Sequence, residues 1–340
     1  MADSSTKIRS VTPSRDLDIS LIMEDLVAEV LQGSVRAMAR LITLVENEDP
    51  RSFEFLGSIY PHTGRANVLG ITGSPGTGKS TLTDKITTVL RQQEKTVGVV
   101  AVDPSSPFTG GALLGDRIRM QRAFGDPDVF IRSMATRGNL GGLARTTADV
   151  IKIMDGFGKD WVIVETVGVG QDEVEIAKTA DTTIVVLAPG LGDAIQSMKA
   201  GVMEIADLYV INKADRSGAD ALVTEVRIRV EQDAQIKKAA WRAPVLKTVA
   251  VEDQGTEPLV EAIEDHRRFL EESGRLKKVR REKTRQETLS LLKEEISRNV
   301  LEKILGKGRF DDLIEDIVAH RKDPYTSVKE IVGTIFPEDE

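Results

Sequence analysis

The sequence predicts an α/β protein in which a mainly parallel sheet is flanked by helices, with helical extensions before and after it. Three observations carry that expectation. Brief β-branched runs alternate with helical stretches from about residue 66 onward. Several of these runs are apolar on consecutive positions, as strands covered on both faces by helices require. After Gly255 the strand pattern stops.

The elements follow in order. Leu17–Leu31 and Val35–Val45 place apolar residues at helical spacing (Val35, Met38, Ile42, Val45), separated by Gly33 and stopped at Glu48-Asp49-Pro50. The expected strands are Val68–Thr72, Val97–Val102, Trp161–Val164, Thr183–Leu187, Leu208–Ile211 and Val245–Val249. Beyond them Pro258–Phe269 continues into Arg275–Arg285, where seven of eleven residues are basic. Such a run reads first as a solvated helix face and second as a docking surface for an acidic partner. Leu289, Leu292, Ile296, Val300 and Ile304 then share one helix face before Gly306 and Gly308, suited to packing on the core or pairing between subunits. The expected organisation is an N-terminal helical extension over 1–62, an α/β domain over 63–265 and a helical arm over 266–340.

Composition excludes several functions. The 340 residues include 46 Lys plus Arg against 54 Asp plus Glu, a net charge of −8. That balance argues against nucleic acid or an anionic membrane as the main partner. With no cysteine, disulfides, thiolate zinc sites and Cys nucleophiles are impossible, and His62, His266 and His320 are too scattered to suggest a metal cluster. Any metal must sit on oxygen. The first ten residues lack an apolar signal core and no run approaches the roughly 18 apolar residues of a membrane span, so the expected location is cytoplasmic.

The strongest chemical signal is Gly73-Ser74-Pro75-Gly76-Thr77-Gly78-Lys79-Ser80, a full G-x-x-x-x-G-K-S match after one strand and before the helical stretch Thr81–Leu90. Its glycines let successive backbone N–H groups turn inward on phosphate oxygens, and the following helix adds its positive end. Lys79 is expected to span the β- and γ-phosphates, and the Ser80 hydroxyl to ligate Mg²⁺. The second signal is Asn212-Lys213-Ala214-Asp215, directly after a strand. A carboxylate at Asp215 can accept from both the N1–H and the exocyclic amine of guanine, a donor pair adenine lacks, which selects GTP over ATP. Val249-Ala250, at the end of the last strand, is expected to offer a backbone N–H to the guanine oxygen.

Asp103, Asp116 and Glu165 follow or end strands, and strand C-terminal ends line the crevice of an open parallel sheet, so all three are expected near Mg²⁺ and the γ-phosphate. Lys79, Asp116 and Glu165 are the candidate catalytic groups. Where small GTPases carry Asp-x-x-Gly-Gln, this chain has Glu165 for the Asp and Val169 for the water-orienting Gln, with Gln171 two positions late. Slow intrinsic hydrolysis is therefore expected. Gly-rich segments at 108–115, 137–142 and 189–193 are candidates for reordering with nucleotide state, and Arg137 or Lys199 for supplying transition-state charge.

Taken together, these residues resemble the MeaB/ArgK GTPases, associated with methylmalonyl-CoA mutase and belonging to the SIMIBI class of P-loop proteins. The resemblance covers nearly the whole chain. It rests on Ala37–Glu46, Gly70–Ser80, Val102–Pro107, Gly110–Met120, Arg137–Leu143, Glu165–Gln171, Asn212–Asp215 and Asp323-Pro-Tyr-Thr326. It implies a homodimeric GTPase serving as chaperone of an adenosylcobalamin-dependent acyl-CoA mutase, gating cofactor delivery by a cobalamin adenosyltransferase. Carried over by position, Gly73 to Thr81 hold phosphates, Asp215 holds guanine, and Ser80, Asp103, Asp116 and Glu165 surround Mg²⁺. The segment 189–199 resembles a switch loop coupling hydrolysis to the mutase, and the C-terminal helices a dimerisation arm. Three rival readings are disfavoured: nickel-inserting relatives by the missing cysteines and scattered histidines, an ArgK-like ATP-using kinase linked to amino-acid transport by Asp215, and a targeting GTPase for membrane insertion by the lack of a Met-rich domain, the eight Met being dispersed.

Overall fold

The computed structural model describes residues 25–103, 125–135, 140–166, 179–191, 204–303 and 306–335. Seven strands form one parallel sheet: β1 (Asn67–Thr72), β2 (Val97–Asp103), β3 (Val129–Ala135), β4 (Trp161–Glu165), β5 (Thr182–Leu187), β6 (Leu208–Ile211) and β7 (Val245–Lys247). Their order across the sheet is β3-β2-β4-β1-β5-β6-β7. The chain runs outward from β1 in one direction and later in the other, so a crevice opens at the C-terminal end of β1, between β4 and β5.

Strand residues alternate between two cores, as the pleat requires. Helices α1 (Val35–Glu46), α2 (Ser52–Ile59) and α4 (Leu140–Phe157) cover one face, where Val68, Val100, Val102, Val162 and Val164 are buried. Helices α3 (Lys79–Gln92) and α6 (Thr256–Glu272) cover the other, over Leu69, Ile71, Val97, Val99 and Ile163. Helix α5 (Ala219–Lys237) buries Leu222, Val223 and Val226 against β5 and β6. Every residue of β1, β4 and β5 is buried, which is why their sequences are nearly unbroken apolar runs.

Three local differences from the sequence reading have physical reasons. The edge strand β3 was not expected: its Val-Phe-Ile start is followed by Arg132, which pairs with Glu46 of α1, so a charge interrupts the apolar run. Within α1 the buried face is Ala37, Met38, Leu41, Ile42 and Val45, whereas Val35 at the first turn is exposed. The last strand stops at Lys247 because Thr248 bonds back to β6 and Val249 turns to pair with Gln254.

At the N-terminal ends of β5 and β6, far along the strands from the crevice, His266 of α6 is buried. Its Nδ1 lies 2.9 Å from Thr182 Oγ1 and its Nε2 lies 3.4 Å from Asp207 Oδ1, with the Trp241 ring centroid 4.7 Å away. Burial pushes the imidazole down to about 4 although Asp181 pulls the other way. The folded protein therefore holds His266 neutral while the unfolded chain protonates it near its ordinary value of about 6.5. Stability from this residue is intact above that value and is lost as pH falls toward about 4, by at most about 3 kcal/mol. Urea unfolding should show a steeper stability loss between pH 7 and 5 for the wild type than for His266→Gln. Parallel slopes would refute this.

The chain divides into two compact units, Met1–Lys277 and Lys278–Glu340. Helix α7 (Arg275–Lys303) runs into the second, which also holds α8 (Gly306–Val318) and α9 (Pro324–Ile335). Gly306 thus opens a helix. Leu289, Leu292 and Ile296 on α7, and Phe310, Ile314 and Val318 on α8, are exposed at helical spacing.

Candidate functional site

The loop after β1 is shaped by two glycines that no other residue could replace without rearrangement. Gly73 has φ 137°, and a Cβ there would overlap the carbonyl oxygen of Val186 on β5. Gly78 has φ 94°, and a Cβ there would overlap the side-chain amide of Asn212. Both conformations lie where side chains are disfavoured. Between them Thr77 Oγ1 donates to Ser74 O at 2.9 Å, closing the turn, while Pro75 and Gly76 are exposed. Gly78 caps α3 without a side chain, so no side-chain oxygen competes for the helix's first N–H groups, which suits an anion there. Lys79 is buried, its Nζ 2.7 Å from Gly73 O and 3.3 Å from Ser74 O. Thr81 follows in the first turn of α3.

The parallel register sets Glu165 opposite Ile71, beside the start of this loop. Ser80 Oγ donates to Glu165 Oε1 at 2.5 Å, and Thr83 Oγ1 lies 3.1 Å from Glu165 Oε2. Next in the chain, Thr166 donates from its N to Ile71 O at 3.1 Å and from its Oγ1 to Thr72 Oγ1 at 3.0 Å. With its proton held by Glu165, the Ser80 oxygen keeps its lone pairs for a cation. This all-oxygen donor set fits Mg²⁺. Asp103 ends β2, two residues beyond Ala101, the register partner of Glu165, and its carboxylate is outside the described atoms. Asp116 lies outside the described residues, as do Arg137, Val169, Gln171 and Lys199. Of the three Gly-rich segments, only 189–191 and the helical backbone of 140–142 are described.

The residues expected to read the base follow β6 and β7. Asn212, buried at the end of β6, donates from Nδ2 to Thr77 O at 2.8 Å. Its Oδ1 accepts from Ala250 N and from Thr248 Oγ1, each at 3.1 Å. One amide thus ties the phosphate loop to the loop after β7. Lys213, with φ 57°, reaches back to Gly76 O at 2.6 Å. Asp215 lies exposed in the turn that follows. The N–H of Val249 is committed to Gln254 O, and the N–H of Ala250 would have to be shared between Asn212 and a guanine oxygen. A further tie joins Lys85 of α3 to Asp253 of the same loop at 3.0 Å. Sequence reasoning missed Thr83, Thr166 and Lys85. Only Thr83 had a readable signal, since it stands three residues after Ser80 on the same helix side.

Residues 38–304 match the family described as "Methylmalonyl Co-A mutase-associated GTPase MeaB". A protein of Pyrococcus abyssi named as a GTPase is 50% identical over 317 residues, covering 92% of this chain and 98% of that one. GTPase ArgK of Escherichia coli is 37% identical over 292 residues, covering 84% and 87%. A crystal structure described as an LAO/AO transport system kinase superimposes with a TM-score of 0.66 at 30% identity, covering 96% of this chain and 99% of that one. The phosphate-loop motif after β1 of this parallel sheet, the relatives named as GTPases and the family match over residues 38–304 make this chain a GTPase, and it belongs to the MeaB family.

Proposed function

We propose that this GTPase is a nucleotide-gated chaperone of an adenosylcobalamin-dependent acyl-CoA mutase of the methylmalonyl-CoA mutase type. It admits or withholds the cofactor according to whether GTP or GDP is bound. The observation that carries this reading is the match over residues 38–304 to a family described by its association with that mutase. In this reading Gly73 to Thr81 surround the phosphates, Lys79 bridges β- and γ-oxygens, and Asp215 reads guanine. Mg²⁺ held at Ser80, with Glu165, Asp103 and Asp116 around it, would neutralise charge on the β- and γ-phosphates. Glu165 orients the Ser80 hydroxyl by accepting its proton.

The protein acts as a homodimer in this account, and the exposed apolar residues at helical spacing on α7 and α8 support that. An ATP-using kinase linked to amino-acid transport is not favoured, although the solved relative is described as an LAO/AO transport system kinase. Asp215 matches guanine's donor pair and nothing on adenine. No helix among the described residues is long and apolar enough to cross a membrane, and a cytoplasmic site of action is part of the proposal. The test is pull-down of a methylmalonyl-CoA-type mutase with and without a non-hydrolysable GTP analogue. Association that changes with the nucleotide is expected. The absence of nucleotide-dependent association with any such mutase would sink the chaperone role while leaving the GTPase intact.

A further inference from the structure

We infer that Thr83 is a positioning residue for the metal side of the nucleotide site, holding Glu165 so that its other oxygen stays on Ser80. The inference rests on the proposed Mg²⁺ site at Ser80. Helix α3 carries three threonines whose hydroxyls bond back one turn: Thr83 to Lys79 O at 3.0 Å, Thr87 to Thr83 O at 2.8 Å and Thr88 to Asp84 O at 2.9 Å. Of these, Thr83 also lies 3.1 Å from a carboxylate oxygen, Glu165 Oε2.

A hydroxyl has one proton, and the Lys79 carbonyl and the Glu165 carboxylate compete for it. The anionic acceptor makes the stronger bond, and here it is buried, as Thr83 is. The two carboxylate oxygens of Glu165 are thereby divided: Oε2 is held from α3 by Thr83, and Oε1 accepts from Ser80. The backbone beneath is fixed separately by Thr166 against Ile71 and Thr72. Without the Thr83 hydroxyl, Oε2 loses the donor that α3 supplies, and the carboxylate is held less firmly on the Ser80 proton. The Ser80 oxygen then loses the orientation that presents its lone pairs to a cation. Thr83 touches neither the phosphates nor the metal in this scheme; it acts through Glu165.

The helix supplies its own control. Thr87→Val removes the hydroxyl of a buried threonine on the same helix and leaves Glu165 its donors, whereas Thr83→Val removes a buried hydroxyl that donates to Glu165.

The experiment is calorimetric titration of GDP into the full chain across a series of Mg²⁺ concentrations and in EDTA, for wild type, Thr83→Val, Thr83→Ser and Thr87→Val. In Thr83→Val the Mg²⁺ concentration giving half of the tightening should rise about tenfold, the size expected for one charge-assisted hydrogen bond, with GDP affinity in EDTA unchanged. Thr83→Ser should restore the wild-type curve and Thr87→Val should match it. If Thr83→Val does not fold, Thr83→Ala carries the same expectation. A wild-type Mg²⁺ curve in the Thr83 variant, an equal shift in Thr87→Val, or failure of Ser to rescue would overturn the inference. Wild-type GDP binding that ignores Mg²⁺ would instead overturn the metal site itself, and this inference with it.

Discussion

Asp215→Asn is expected to weaken GTP binding about 100-fold and to raise the affinity for xanthosine triphosphate by a similar factor. In the proposed site the carboxylate of Asp215 would offer two acceptors to two donors, the N1–H and the amine of guanine. Asparagine keeps one acceptor and turns the other into a donor, which opposes the guanine amine. Xanthine carries a carbonyl in place of that amine, so the amide and the base become complementary again. One charge-assisted bond lost and one donor set against another cost about 3 kcal/mol, hence the factor. Asp215 is exposed in its turn, so the exchange should leave the fold untouched. Competition binding with GTP, ATP and xanthosine triphosphate checks it. Unchanged discrimination between GTP and ATP would remove Asp215 from base recognition.

Lys79→Ala should reduce GTP hydrolysis by about 10²–10³-fold. The ammonium is already held inside the loop on Gly73 O and Ser74 O, so it is placed before any phosphate arrives. Preorganised charge of this kind, removed singly, costs two to three powers of ten in turnover. The variant also takes the ammonium donor from Gly73 O and from Ser74 O, the latter keeping the Thr77 hydroxyl, so binding should weaken as well. Single-turnover measurement at saturating GTP separates the two losses. A rate within about tenfold of wild type would mean that transition-state charge is met elsewhere.

How much of this was legible beforehand differs by element. The buried strands β1, β2, β4, β5 and β6 could be read because parallel strands covered on both sides leave few polar positions to confuse the pattern. The edge strand β3 could not, since an edge carries charges such as Arg132 that serve other contacts. The eight residues of α2 are too few to display a helical period. The phosphate loop was legible because its backbone needs glycine at fixed places, and Gly73 and Gly78 meet that need at positive φ.

The clasp of Asn212 was not legible, because it joins Thr77 and Ala250, distant in sequence and close only once β1, β6 and β7 share a sheet. The same holds for Glu165. Its type and strand position marked it as a candidate for the metal region, but its two hydroxyl partners on α3 became visible only in the fold.

The most direct test of the central claim, a guanine-specific site built by the phosphate loop and the turn after β6, is equilibrium titration of the wild-type chain with GDP and ADP in Mg²⁺. The account predicts GDP binding at least about 100-fold tighter than ADP, from the two hydrogen bonds that adenine cannot offer Asp215. Equal affinities for the two nucleotides would contradict it.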